Sequence, residues 1–201
     1  MQRKDEDLVS AYLNNGDELA FGELVRRHQE RVFGYLVGMV RDRDIANDLF
    51  QETYFRVIRA LNKERGSYSQ QGRWIHWVMR IARNAALDHL RSRKKWVDVS
   101  LHEDPDGDDY WQRVESDDIA PDEILFRTDQ SQWLEECIEK LSPDQREVLL
   151  LRHEGDMTFK EIAELTNCSI NTALGRMRYA LLNLRQMMLE SSKEHLSGLT
   201  S

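Results

Sequence analysis

The sequence predicts an all-α protein: two small helical domains joined by an acidic flexible linker, the C-terminal one containing a helix-turn-helix. Three observations carry this. Apolar residues recur at helical spacing over residues 5–92 and again over 142–188. Only three residues of 201 are proline and ten are glycine, while 32% are charged, which favours helices over strands. Charge is also sorted along the chain. Residues 1–96 carry 18 basic and 13 acidic side chains, 97–127 carry 2 and 11, and 128–201 carry 8 and 12. Two modules and an anionic tether account for that asymmetry. The expected boundaries are 1–96, 97–127 and 128–190, with a disordered tail over 191–201.

The first helix is expected over about 5–14, ended by the Asn14-Asn15-Gly16 turn. Asp17 is the N-cap of the next, which carries Leu19, Ala20, Leu24 and Val25 and runs to about Val40. A helix over 44–62 sorts Ala46, Leu49, Phe50, Thr53, Tyr54, Val57 and Leu61 onto one face. Its opposite face holds Asn47, Asp48, Gln51, Glu52, Phe55, Ile58 and Arg59. Phe55 and Ile58 among polar groups mark either a patch covered by the same chain or a docking surface with a polar rim.

A helix over 74–92 turns Trp74, Ile75, Val78, Ala82, Ala85 and Ala86 inward. Arg73, His76, Trp77, Arg80, Arg83, Asn84, Asp88 and Arg91 fall on the other side. Residues 65–96 hold eight cations against Asp88 alone. Arginine suits phosphate, asparagine a base edge, and tryptophan an unstacked base. The preceding stretch RGSYSQQGR, residues 65–73, has the makeup of an ordinary connection or of a pocket for a flipped base.

In the second module Ser142, Pro143 and Gln145 form a helix start, and Thr158 with Glu161 forms a capping box. A short helix 159–166, the break Asn167-Cys168-Ser169 and a helix from about Ile170 make a helix-turn-helix, with the small Ala163 at the crossing. Ala173, Met177, Ala180, Leu181, Leu184 and Met188 face inward. Asn171, Thr172, Gly175, Arg176, Arg178 and Tyr179 project from the N-terminal half, the half that enters a major groove. A plain helical hairpin is the alternative.

Other classes lack support. There is no glycine-rich phosphate cradle, nucleophile elbow or paired carboxylates in an apolar setting, so neither an enzyme nor a cofactor is expected. Six scattered histidines lack metal-ligand spacing, and Cys137 and Cys168 read as buried thiols. No apolar run reaches the ~20 residues of a membrane span, so no membrane insertion is expected. The polar start MQRKDEDLVS points to a cytoplasmic chain. The tether reaches at most ~90 Å at ~3.3 Å per residue, enough for the modules to act at DNA sites two turns apart.

Three stretches resemble one family. DLFQETYFRVIRAL (48–61), GRWIHWVMRIARNAALDHLRSRKK (72–95) and LSPDQREVLLLRHEGDMTFKEIAELTNCSINTALGRMRYAL (141–181) are similar, in order, to segments of bacterial sigma factors of the extracytoplasmic-function type. The resemblance implies a transcription initiation factor that binds core RNA polymerase and promoter DNA. Asp48, Gln51, Glu52, Phe55, Arg56 and Ile58 would dock on the β′ clamp helices, with the β subunit as a further contact. Ser67, Tyr68, Ser69, Arg73, Trp77, Arg80, Arg83, Asn84, Arg91, Arg93 and Lys94 would engage the minus-ten element. Lys160, Asn171, Thr172, Gly175, Arg176, Arg178 and Tyr179 would engage the minus-thirty-five element. An anti-sigma factor is a further implied partner. In the polymerase, the acidic linker would mimic nucleic acid. Leu174 and Gly175 stand where relatives carry a basic residue and a hydroxyl, which implies an upstream sequence that is different or bound more weakly. A self-sufficient helix-turn-helix regulator and a helical adaptor are the rival readings.

Overall fold

The computed structural model describes residues 3–63, 73–97 and 131–198, and these contain eight helices and no strand. They are α1 (Asp5–Asn15), α2 (Glu18–Val40), α3 (Arg43–Lys63), α4 (Trp74–Val97), α5 (Ser131–Glu139), α6 (Pro143–His153), α7 (Phe159–Thr166) and α8 (Ile170–Gly198). The fold class is all-α, as the periodicity predicts.

Local chemistry sets the helix ends. Gly16 takes a left-handed conformation (φ 65°) and its N–H closes α1 on the Tyr12 carbonyl, a conformation glycine adopts without a Cβ penalty. Asp17 Oδ1 accepts from the N–H groups of Leu19 and Ala20 and starts α2. Arg41 ends α2 with φ 59°, and Asp42 Oδ1 accepts from Asp44 and Ile45 to start α3. Asp42 was not foreseen as a cap. The Thr158–Glu161 capping box and the Ser142–Gln145 bond appear as predicted. Two ends differ from expectation. α4 runs through Val97, and α8 runs to Gly198, so 191–198 continue a helix instead of forming a tail. The backbone of those residues already lies in an uninterrupted helix without a breaker before Gly198. α5 is an element the sequence reading did not assign.

α1–α4 enclose one core. Leu24, Val32, Leu36, Val57, Trp74 and Val78 are essentially inaccessible to solvent. Aromatic contacts extend it, with Phe33 edge-on to Phe50 at 6.1 Å and Tyr12 on Phe21 at 4.9 Å. Thr53 tolerates burial because its hydroxyl donates to the Leu49 carbonyl. α6–α8 build a second apolar centre from Val148, Leu151, Ile162, Ala163, Ala173, Met177, Ala180 and Leu184, all buried.

The two centres are not separate bodies. α6 lies against α2, and two glycines make the approach possible. A Cβ on Gly38 would meet Leu150 Cδ2 at 2.7 Å, and one on Gly34 would meet the Glu154 carboxylate at 3.2 Å. Tyr35, between them, is fully buried. Burial pushes its phenol well above the ordinary value, and nearby Glu147 adds to this. At the ends of the seam, Arg31 Nε donates to the Glu154 carbonyl at 2.8 Å and Arg41 donates to the Glu139 carbonyl.

Gly38→Leu is expected to release α6 from α2 without harming α2, since leucine is a better helix former than glycine by up to ~1 kcal/mol. Small-angle scattering of the variant should show a larger radius of gyration at unchanged helix content. An unchanged radius would mean the glycine seam does not hold the modules together.

Candidate nucleic-acid interface

The cationic side of α4 follows from its pattern. Trp74, Val78, Met79, Ala82, Ala85 and Ala86 are buried against the other helices, which forces Arg80, Asn84, Arg91 and Arg93 outward, and all four are exposed. Lys94 falls in the last turn of the same helix. Ser67, Tyr68 and Ser69 lie outside the described residues.

Three members of this face pair with glutamates of α6 and α7. Arg83, expected on an open surface, is largely covered, its side chain 15% exposed against 10% for its partner Glu147. Arg83 Nε donates to Glu147 Oε1 at 2.8 Å and its second amino group to Oε2 at 3.4 Å, a two-point guanidinium–carboxylate pair. Arg73 donates to Glu161 Oε1, and His76 Nδ1 stands 3.1 Å from the same oxygen. Trp77 is half-buried, its ring 5.5 Å from that of Trp74. Glutamates of α6 and α7 thus occupy cations that the α4 pattern turns toward solvent. The physical reason lies in charge: the first module carries an excess of cations and the last an excess of carboxylates.

Glu161 has two tasks. Its Oε2 accepts from the Thr158 N–H at 2.8 Å and hydroxyl at 2.7 Å, closing the start of α7, while Oε1 faces Arg73 and His76. Burial disfavours its charge, but the Thr158 bonds, with His76 and Arg73, outweigh burial and hold the carboxyl below the usual carboxylate range.

The helix-turn-helix is formed by α7 and α8. Asn167 takes φ 55°, Cys168 N–H closes on the Ala163 carbonyl at 3.0 Å, and Ser169 Oγ accepts from the Thr172 N–H at 2.9 Å. Ser169 is the cap of α8, missed in sequence because it sits inside the turn. Asn171 and Thr172 are exposed; Gly175, Arg176, Arg178 and Tyr179 are half-exposed; Lys160 is exposed on α7. Arg176 pairs with Asp144 at the start of α6, and Asn183 Nδ2 donates to Gln145 Oε1 at 3.0 Å. Both bonds tie α8 to α6 and fix the angle at which its N-terminal half projects.

On α3, Asp48, Gln51 and Glu52 are exposed and Ile58 is half-buried. Phe55 is 67% exposed, so no described part of the chain covers it. Arg56 bonds Glu52 at 3.0 Å and approaches Asp88 at 3.6 Å, linking this face to α4.

An exposed aromatic ring among polar neighbours on α3, a cationic face on α4 and a helix-turn-helix thus share one frame. Comparison with known proteins narrows the class. Residues 24–96 match the model of sigma-70 region 2, and residues 131–182 that of sigma-70 region 4. RNA polymerase sigma factor CarQ of Myxococcus xanthus is 34% identical over 182 residues, covering 90% of this chain and 95% of that protein. The sigma-H factor of Pseudomonas aeruginosa is 29% identical, covering 88% and 89%. Among solved structures, the sigma factor RpoE in complex with the anti-sigma factor NepR from Bartonella quintana superposes with a TM-score of 0.60 at 23% identity, covering 84% of this chain and 96% of that one. CnrH in complex with the cytosolic domain of CnrY gives 0.60 at 19%, covering 92% and 96%. The chain belongs to the extracytoplasmic-function branch of the sigma-70 family. It is a transcription initiation factor that directs core RNA polymerase to promoters, and the self-sufficient regulator is not favoured.

The lowered Glu161 value fixes a sign. Its contribution is fully present above the ordinary carboxylate value, about 4.3, and is lost as pH falls through the lower folded value. On acidification from about pH 5 to about pH 3, the chain should lose more thermal stability than Glu161→Gln does. Equal losses would show that the carboxylate contributes nothing to the seam.

Proposed function

We propose that the promoter-directing activity is divided among three surfaces and two domains. Residues 1–96 form the domain that binds core polymerase and melts the minus-ten element, 128–190 the domain that reads the minus-thirty-five element, and 97–127 a tether. Asp48, Gln51, Glu52, Phe55, Arg56 and Ile58 dock on the β′ clamp helices. The observation that carries this is Phe55, a large aromatic ring left 67% exposed amid polar neighbours, the pattern of an interface anchor.

Arg80, Asn84, Arg91 and Arg93 are the part of the minus-ten surface open to DNA, and Lys94 is proposed for the same element from its place on α4. Arg73, Trp77 and Arg83 join them when α6 and α7 move away, phosphates replacing the carboxylates of Glu147 and Glu161. Ser67, Tyr68 and Ser69 are proposed for the same element on sequence grounds. Lys160, Asn171, Thr172, Gly175, Arg178 and Tyr179 face the upstream element, and Arg176 joins them by exchanging Asp144 for DNA. The factor works without catalytic chemistry of its own and in the cytoplasm, where core polymerase and DNA are. Among the described residues no helix is long and apolar enough to cross a membrane. An anti-sigma factor is a further partner, on the pattern of RpoE with NepR and CnrH with CnrY.

Run-off transcription with core enzyme tests the assignment. Phe55→Ala should weaken core binding by about 2 kcal/mol, roughly thirtyfold, with the fold intact because the ring packs on nothing in the chain's core. Unchanged affinity would remove α3 from the polymerase interface.

A further inference from the structure

The first two turns of α8 carry an apolar feature that a solvated helix does not need. Ile170 is 47% and Leu174 44% exposed. They stand four positions apart, so they form one continuous aliphatic ridge. Beside it lie exposed Asn171 and Thr172. The next residue, Gly175, stands inside the helix, where glycine is unfavourable relative to alanine. Packing does not explain it: a Cβ at Gly175 would have nothing within 4 Å. Gly38 shows the contrast, since its missing Cβ makes room for Leu150. The bare backbone at Gly175 is open to solvent on the side of the ridge, as that at Gly22 is on α2. Arg176 is turned back to Asp144, so it is not placed with this ridge.

In the major groove, the thymine C5-methyl is the apolar mark that a base pair presents. A protruding aliphatic ridge at the N-terminal end of a helix-turn-helix second helix fits that mark, and the absent side chain at 175 lets the backbone come close. We propose that Ile170 and Leu174 read a thymine methyl in the upstream promoter element, with Gly175 permitting the approach. This rests on the assignment of α8 to DNA. It specifies the base and the residues that recognise it, and Ile170 is a reader that the sequence pattern did not single out.

The test uses holoenzyme made from core polymerase and the full chain, bound to a duplex selected from a library randomised upstream of the start site. Each upstream thymine is replaced in turn by deoxyuridine, which removes only the methyl. At one or two positions affinity should fall about fourfold, the value of one buried methyl-sized group. Leu174→Ala should bind the thymine duplex more weakly and be indifferent to uracil at one of those positions; its side chain is exposed, so the fold should survive. Gly175→Ala should melt at a higher temperature as free protein yet bind the selected duplex less well. Indifference of the unaltered factor to uracil throughout overturns the proposal but leaves DNA reading by α8 standing. So does undiminished uracil sensitivity in both Leu174→Ala and Ile170→Ala. If Leu174→Ala instead weakens binding to core enzyme without DNA, the ridge is a protein contact and the proposal fails. If no upstream sequence is selected at all, the proposal and the assignment of α8 fall together.

Discussion

Arg83 and Glu147 are far apart in sequence, at a separation of 64, yet their pairing determines how the rest of the molecule sits. A cation on the α4 face must be exposed to meet phosphate, but an arginine covered this far is tolerated only with a matched partner. Glu147 supplies both oxygens. To bring it there, α6 must lie in the shallow α2 groove made by Gly34 and Gly38, and Leu150 must cross where a Cβ would have stood. Once α6 is seated, α7 follows through the tight Met157–Phe159 corner. Arg152 supports that corner by donating to the Met157 carbonyl at 2.9 Å, and Glu161 then reaches Arg73 and His76.

The charge pattern acquires a second meaning from this packing. The first module carries an excess of cations and the last an excess of carboxylates. They are complementary to each other, and the pairs that join the modules use the residue types that polynucleotide binding would use. Glu161 shows how economical the arrangement is, since one oxygen caps α7 and the other faces α4. Loss of that carboxylate would affect a helix start and a module contact together.

Much of the fold was legible because its signals are local. Gly16, Asp17, Ser142, Thr158 and Glu161 mark helix ends through bonds spanning two to four residues, and the inward faces of α3 and α4 follow from period alone. The candidate interface was legible in the same way on α3, where Phe55 breaks a polar face. What escaped was non-local. Periodicity turns Arg83 outward but is silent on what arrives over it, and the pair Arg73–Glu161 spans 88 positions. Arg176 looked like a free reading residue because Asp144 belongs to a different helix. Ile170 was passed over as the start of a helix, although its spacing to Leu174 was visible. The glycines of α2 offered the one available hint of close packing, since two small residues four apart on a long helix leave a flat strip that another helix can approach.

The strength of the closed seam bears on how a factor of this kind is used. Arg73 is 61% exposed, and pairs so open contribute ~0–1 kcal/mol. The seat of Leu150 over Gly38 and the covered Arg83–Glu147 pair therefore carry most of the closure, and separating the latter does not strand two bare charges, because each regains water as the modules part. The net preference is then a few kcal/mol at most. A polymerase interface of nanomolar affinity corresponds to about 12 kcal/mol, which exceeds that preference severalfold. A partner that binds only the parted form therefore meets a reduced apparent affinity, lowered by the open fraction, but is not excluded. Conversely, a partner that grips the closed form needs only a modest advantage to hold it. Glu147 and Glu161 contribute to that balance only together with Arg83 and Arg73, so a change to either side of a pair shifts it.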